Sequence, residues 1–193
     1  MFRFEISNTF PCTRPTLWIA LAGAIALAAA ASASERKAHQ HGVGELNLAV
    51  EGKAVEIELA APGADIVGFE HEARTDAQKR AVSKAAKALR DGAALFVFPA
   101  AANCVLHEAE VESPLLEDRH GHKDHDHKHG DGDEHAEFDA HYHFECAAPD
   151  RLTHIDTTYF KAFPNAQALS ARVLTETGQR AQRLTPAAAR LKF

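Results

Sequence analysis

The chain predicts an α+β domain in which mostly antiparallel β-strands and hairpins pack with one main helix. Three observations predict it. Apolar and polar residues alternate strictly at 44–60 and again at 137–146, a capped alanine-rich helix fits 75–90, and turn residues punctuate the remaining apolar runs. At 193 residues the chain is long enough for one core. Its 46% hydrophobic and 25% charged composition is that of a globular protein, so any disorder must be local.

The elements follow in order. Residues 1–33 read as a cleaved export signal: Arg3 and Arg14 precede an apolar run from Leu17 to Leu27, and Ala31-Ser32-Ala33 is a small-residue cleavage site. The run is shorter than the roughly 20 apolar residues that span a membrane, so no membrane insertion is expected after processing. Leu46, Leu48 and Val50, then Val55, Ile57 and Leu59, mark the buried face of a β-hairpin turning at Glu51-Gly52-Lys53. Ala61-Pro62-Gly63 stops it. Thr75 and Gln78 form a capping box for a helix running to about Arg90, with Ala81, Val82, Ala85, Ala88 and Leu89 on its apolar face. Gly92 falls where a left-handed C-terminal cap is expected.

Leu95–Phe98 and Cys104–Val111 read as strands, the second ended by Ser113-Pro114. Residues 117–136 are His, Asp, Glu, Lys and Gly with almost nothing apolar, so they form a disordered insert rather than a folded element. The domain resumes with a strand at Glu137–Cys146, whose Phe138, Ala140, Tyr142, Phe144 and Cys146 face inward. A strand near Ile155–Phe160, a turn at Phe163-Pro164-Asn165, and a hairpin of Ala168–Thr175 with Gln179–Leu184 around Gly178 complete it. Residues 34–116 and 137–193 are thus two parts of one domain, expected to be monomeric.

Processing removes Arg3, Arg14 and Glu5, leaving 19 Lys+Arg against 26 Asp+Glu, a formal charge of −7. That charge is wrong for nucleic acid, whose phosphates need a basic surface, and right for cations. Two cysteines survive, Cys104 and Cys146. In an oxidising compartment an even pair reads as a disulfide, here pinning the base of the histidine-rich window; the rival reading is a pair of thiolate metal ligands. Bridged, they close a loop of about 43 residues, for which chain entropy gives roughly 4 kcal/mol.

Eight of the thirteen histidines lie between 120 and 146. His120, His122, His125, His127, His129 and His135 sit close together in the insert, with Asp124 and Asp126 among them. Neutral imidazoles at such spacing converge on a borderline-soft ion, and the carboxylates ligate or hydrogen-bond the second ring nitrogen. A solvated spacer is the bland reading. Because each ion must order a flexible chain at roughly 1 to 2 kcal/mol per residue, binding there should be loose and exchangeable.

His141 and His143 are two apart on a strand and project from one face, their geometry fixed by the fold, so the tighter site is expected there. Alternatively they are two polar residues on a wet edge strand. His39 and His41 form a second such pair. If the two pairs meet, four imidazoles close a site; if not, Asp or Glu must contribute. His71, His107 and His154 are single and read as surface or hydrogen-bonded histidines, His71 being the easiest to recruit.

A nitrogen-rich set excludes calcium and magnesium. The mature chain has no Met, and oxidised cysteines offer no thiolate, so Cu(I) lacks its soft ligands. Zn2+ fits best, with Ni2+ and Cu2+ also imidazole-loving. Enzyme motifs are absent: His71-Glu72 and His107-Glu108 each lack the second histidine of His-Glu-x-x-His, and there is no Gly-x-Ser-x-Gly elbow or phosphate loop.

Several stretches are similar to one family: His41-Gly-x-Gly-Glu-Leu-Asn-Leu-Ala-Val-Glu-Gly52, Ala61-Pro-Gly-Ala-Asp-Ile-Val-Gly-Phe-Glu-His71, Phe98-Pro-x-Ala-x-x-Cys104, and a histidine-rich insert before Tyr142-x-Phe-x-Cys146. The chain resembles the ZrgA family of periplasmic zinc-uptake proteins over essentially all of its mature length. The resemblance implies a Gram-negative periplasmic zinc-binding protein that assists import, with a zinc ABC importer or its binding protein as partner.

Overall fold

The structure, a computed structural model, describes residues 42–117 and 136–193. Strands β1 (Val43–Glu51) and β2 (Ala54–Pro62) form the expected hairpin. Helices α1 (Gly63–Ile66), α2 (Asp76–Arg90) and α3 (Gly92–Leu95) follow, then β3 (Phe96–Val97), β4 (Cys104–Glu112) and β5 (Glu137–Cys146). The chain ends with β6 (His154–Thr157), α4 (Tyr159–Ala162), β7 (Ala168–Thr175), β8 (Gly178–Leu184) and β9 (Arg190–Lys192). The fold is α+β with mostly antiparallel pairing, and α2 is its main helix.

Six strands form one sheet in the order β4-β5-β2-β1-β7-β8, and β3-β6-β9 form a second. One pairing departs from the antiparallel rule: β1 runs parallel to β7, Val43 opposite Ala168 through Ala49 opposite Leu174. Parallel neighbours need a long crossover, and here almost the whole domain supplies it. β5 joins β2 and β4 and is therefore an interior strand, contrary to the edge-strand alternative.

One face of the large sheet carries the core, because the period of two puts Leu46, Leu48, Val55, Ile57, Leu59, Phe138, Tyr142 and Phe144 on the same side, all buried. α2 covers it with Val82, Ala85 and Leu89. Its start is the predicted capping box: Gln78 N donates to Thr75 Oγ1 at 3.2 Å and Thr75 N to Gln78 Oε1 at 3.0 Å. Its end is held by Tyr142, whose hydroxyl donates to the Leu89 carbonyl at 2.8 Å. That carbonyl is one of the last four of α2 and has no helical partner; burial raises the phenol pKa and keeps the hydroxyl protonated.

Gly92 is corrected. It does not adopt the left-handed conformation but opens α3. Its lack of a side chain makes room for Tyr142, since a Cβ there would stand 2.5 Å from the ring. Leu95 belongs to α3, so only Phe96–Val97 of the expected strand forms, and Phe96 meets Tyr142 edge-on at 5.2 Å. The strand expected to run to Phe160 stops at Thr157, because α4 turns Tyr159 and Phe160 into the core. Strand β9, unforeseen, closes the second sheet against β6.

Cys104 and Cys146 form a disulfide, which removes the thiolate-ligand reading. They face each other in the β4-β5 ladder, but at the end remote from the insert, which departs beyond the Glu112–Asp139 pair. Eight residues of strand, roughly 27 Å, separate the bridge from that end. The disulfide therefore does not pin the base of the window. That base is held instead by strand pairing and by Gly63 N–H, which donates to the Ala136 carbonyl at 2.7 Å. Among the described residues no helix is long and apolar enough to cross a membrane.

Candidate metal centre

The other face of the large sheet is polar, and its chemistry follows from register. His143 on β5 lies between Glu56 of β2 and Glu108 of β4; His141 lies between Glu58 and Glu110. Directly opposed residues point to the same side of a sheet. Each imidazole thus has a carboxylate-bearing neighbour on both flanks.

Glu56 stands between the two rings. Its Oε1 lies 2.5 Å from His143 Nδ1, and its Oε2 lies 3.8 Å from His141 Nε2. An ionised carboxylate only accepts, so in the neutral ring Nδ1 of His143 carries the proton and Nε2 presents its lone pair. This is the carboxylate–imidazole arrangement that fixes the tautomer and ring orientation of a metal-binding histidine. Glu56 Oε2 is covered and accepts no hydrogen bond from the described residues. His141 is about half exposed and His143 about a third, so a cation reaches both from solvent.

His107 also belongs here. Alternation past the inward Leu106 already turns His107 to the polar face, and the slip of the β4-β5 ladder between Leu106 and Glu108 adds Glu108 to the same side, opposite His143. Its ring centroid lies 5.9 Å from that of His143, and its Nε2 lies 3.6 Å from Glu145 Oε2. The zone ends at β2: beyond Glu56 and Glu58 an open groove runs over Ala49 and Leu174 to Arg172, which pairs with Glu45 at 3.9 Å. No group of three or more His, Cys, Asp or Glu side chains among the described residues is already gathered as an ion would require.

The other predicted residues divide as follows. His39 and His41, and His120, His122, His125, His127, His129 and His135, lie outside the described residues, as does the proposed export signal. Gly42, where the first pair joins the sheet, is pinned: its N–H donates to Asp65 Oδ1 at 2.8 Å, and its carbonyl accepts from Gln167 and Ala168 N–H, both at 2.9 Å. The residue of β1 level with His141 is Asn47. Gly42 is five residues along and two strands across from His141, roughly 20 Å. Among the described residues, carboxylates are the directly opposed neighbours of His141 and His143.

His71 stacks on Phe69 with centroids 5.1 Å apart and donates from Nδ1 to its neighbour Glu72's carbonyl at 2.9 Å. His154 bonds Thr153 Oγ1 at 2.9 Å and lies 3.8 Å from Asp156. Both behave as surface histidines. Sequence reasoning did not bring Glu56 or His107 to this face: both show as outward residues, of β2 and β4, but only the registers with β5 set them beside His143.

No curated protein matches the chain. The family model described as ZrgA family zinc uptake protein matches residues 38–193. A polar sheet face pairing imidazoles with carboxylates is in keeping with that match, and the chain belongs to the ZrgA family of zinc uptake proteins.

Proposed function

We propose that this is a non-catalytic, monomeric periplasmic protein, exported by residues 1–33, that captures Zn2+ and assists its uptake by delivering it to an ABC-type importer or its binding protein. The observation that carries the reading is the His141–Glu56–His143 cluster across two adjacent interior strands, β5 and β2. Family membership supports zinc as the ion. The insert histidines, His120 to His135, collect ions loosely, as does the His39/His41 pair. Ala136, just ahead of β5 where the insert rejoins the fold, lies five residues before His141, roughly 17 Å along the chain. Holding ions near the fixed pair raises their local concentration there.

The test is a zinc titration against a competing chelator, using the untagged full chain, with nickel and copper in parallel. His141→Ala and His143→Ala should each remove the tightest phase while leaving weaker binding. If both variants keep the tight phase, the site is elsewhere. Deleting the gene separates uptake from the alternative of a metal buffer or resistance protein: an uptake role predicts poor growth under zinc chelation, and sequestration predicts sensitivity to excess metal.

A further inference from the structure

We infer that His107 is the third imidazole of the zinc site, so that His107, His141 and His143 bind the ion together and leave its fourth position open to solvent. This inference rests on the reading of His141 and His143 as a zinc site. It adds a residue from a different strand and assigns Glu56 an orienting role.

The geometry of tetrahedral zinc supports it. With Zn–N near 2.1 Å, two imidazoles on one ion stand with ring centroids roughly 5 Å apart. His107 and His143 are at 5.9 Å. Closing that gap takes side-chain rotation without strand movement, and both His107 and Glu145, which it faces, are about half exposed and free to turn. The bulge between Leu106 and Glu108 puts His107 and Glu108 together on the face of His143. In a regular ladder successive residues face opposite sides, so His107 and Glu108 could not both join the polar face.

The hydrogen-bond pattern fits the same picture. Glu56 occupies Nδ1 of His143 from the β2 side, leaving Nε2 as the ligating nitrogen, while His107 approaches the same ring from the β4 side. Three protein nitrogens plus one exchangeable position is the open form of zinc coordination, in contrast to closed four-ligand structural sites. An open position lets an incoming ligand from an acceptor attack the ion before the imidazoles let go. That is the chemistry a carrier needs and a closed site would hinder.

The experiment uses the full chain, titrated with Zn2+ in chelator competition and with Co2+ as a spectroscopic probe. His107→Ala should weaken the tightest zinc phase by roughly 100-fold, at or above the 10- to 100-fold typical of losing an outer partner, and should change the visible Co2+ bands of that phase. Added azide should shift the bands in the wild-type chain by entering the open position. His154→Ala, a histidine outside the cluster, should change neither readout. If His107→Ala leaves both the zinc phase and the Co2+ bands unchanged while His141→Ala and His143→Ala abolish them, the third-ligand assignment is overturned and the two-histidine site stands. If none of the three substitutions matters, both fall. Unchanged far-ultraviolet circular dichroism of His107→Ala separates ligand loss from misfolding, and a His107→Gln variant that also loses the phase confirms the need for the imidazole. Bands insensitive to azide would refute the open position.

Discussion

Replacing Tyr142 with Phe isolates one hydrogen bond that ties the strand of His141 and His143 to the helix behind it. The ring stays, so its packing against Phe96 and its place over Gly92 are kept, and only the hydroxyl is lost. The Leu89 carbonyl that it serves has no helical partner, and both residues have 0% exposure, so water cannot replace the donor. A net bond is worth about 0.5 to 1.5 kcal/mol, and an abandoned buried carbonyl costs about 1 to 3. Tyr142→Phe should therefore destabilise the fold by about 1 to 2 kcal/mol, a drop of about 2 to 8 °C in Tm for a domain of this size. Urea unfolding should show a lower midpoint with an unchanged slope. The tight zinc phase should persist, because the hydroxyl lies on the face opposite His141 and His143. Coincident unfolding curves would refute the claim that this carbonyl depends on the phenol, and loss of the zinc phase would refute the separation of the two faces.

Gly92→Ala places a methyl group 2.5 Å from the Tyr142 ring, an overpacking that should cost about 1 to 3 kcal/mol by the same unfolding assay. Substituting both Cys104 and Cys146 with Ala should remove about 4 kcal/mol of loop-closure stabilisation but leave the loose zinc binding of the insert unchanged, measured by zinc stoichiometry at a temperature where the variant is folded. Zinc affinity should fall between pH 7.5 and 5.5, because free imidazole gains a proton near pH 6.5 and only the neutral ring ligates. Titrations that superimpose at the two values would show that carboxylates alone hold the ion.

The parts of this fold set by neighbours along the chain were legible in the sequence. The alternation of Glu137–Cys146, the Thr75–Gln78 box and the turn at Gly52 are local devices, and each appears where its residues place it. Features set by distant partners were not. Nothing near Val43 says that it will lie beside Ala168, and Gly92 looks like any helix-ending glycine until Tyr142, fifty residues later, is laid across it. The site divides the same way: His141 and His143 are a local pattern, whereas Glu56 and His107 come from the two flanking strands. The disulfide is correctly paired, and its distance from the insert was legible too: Cys104 opens one expected strand and Cys146 ends the other, which sets the bridge at the end of the hairpin away from the connection.

Strand β1 opens the described part of the domain, yet one of its two edges waits for β7, more than a hundred residues later. Until then the β1-β2 hairpin offers an open row of backbone groups, flanked by Leu46 and Leu48, to any passing strand. The folding chain is thus exposed to aggregation after its first hairpin has formed and before β7 joins it. A chaperone that shields extended apolar segments would act in that interval, and a truncation before Ala168 would leave the hazard permanent.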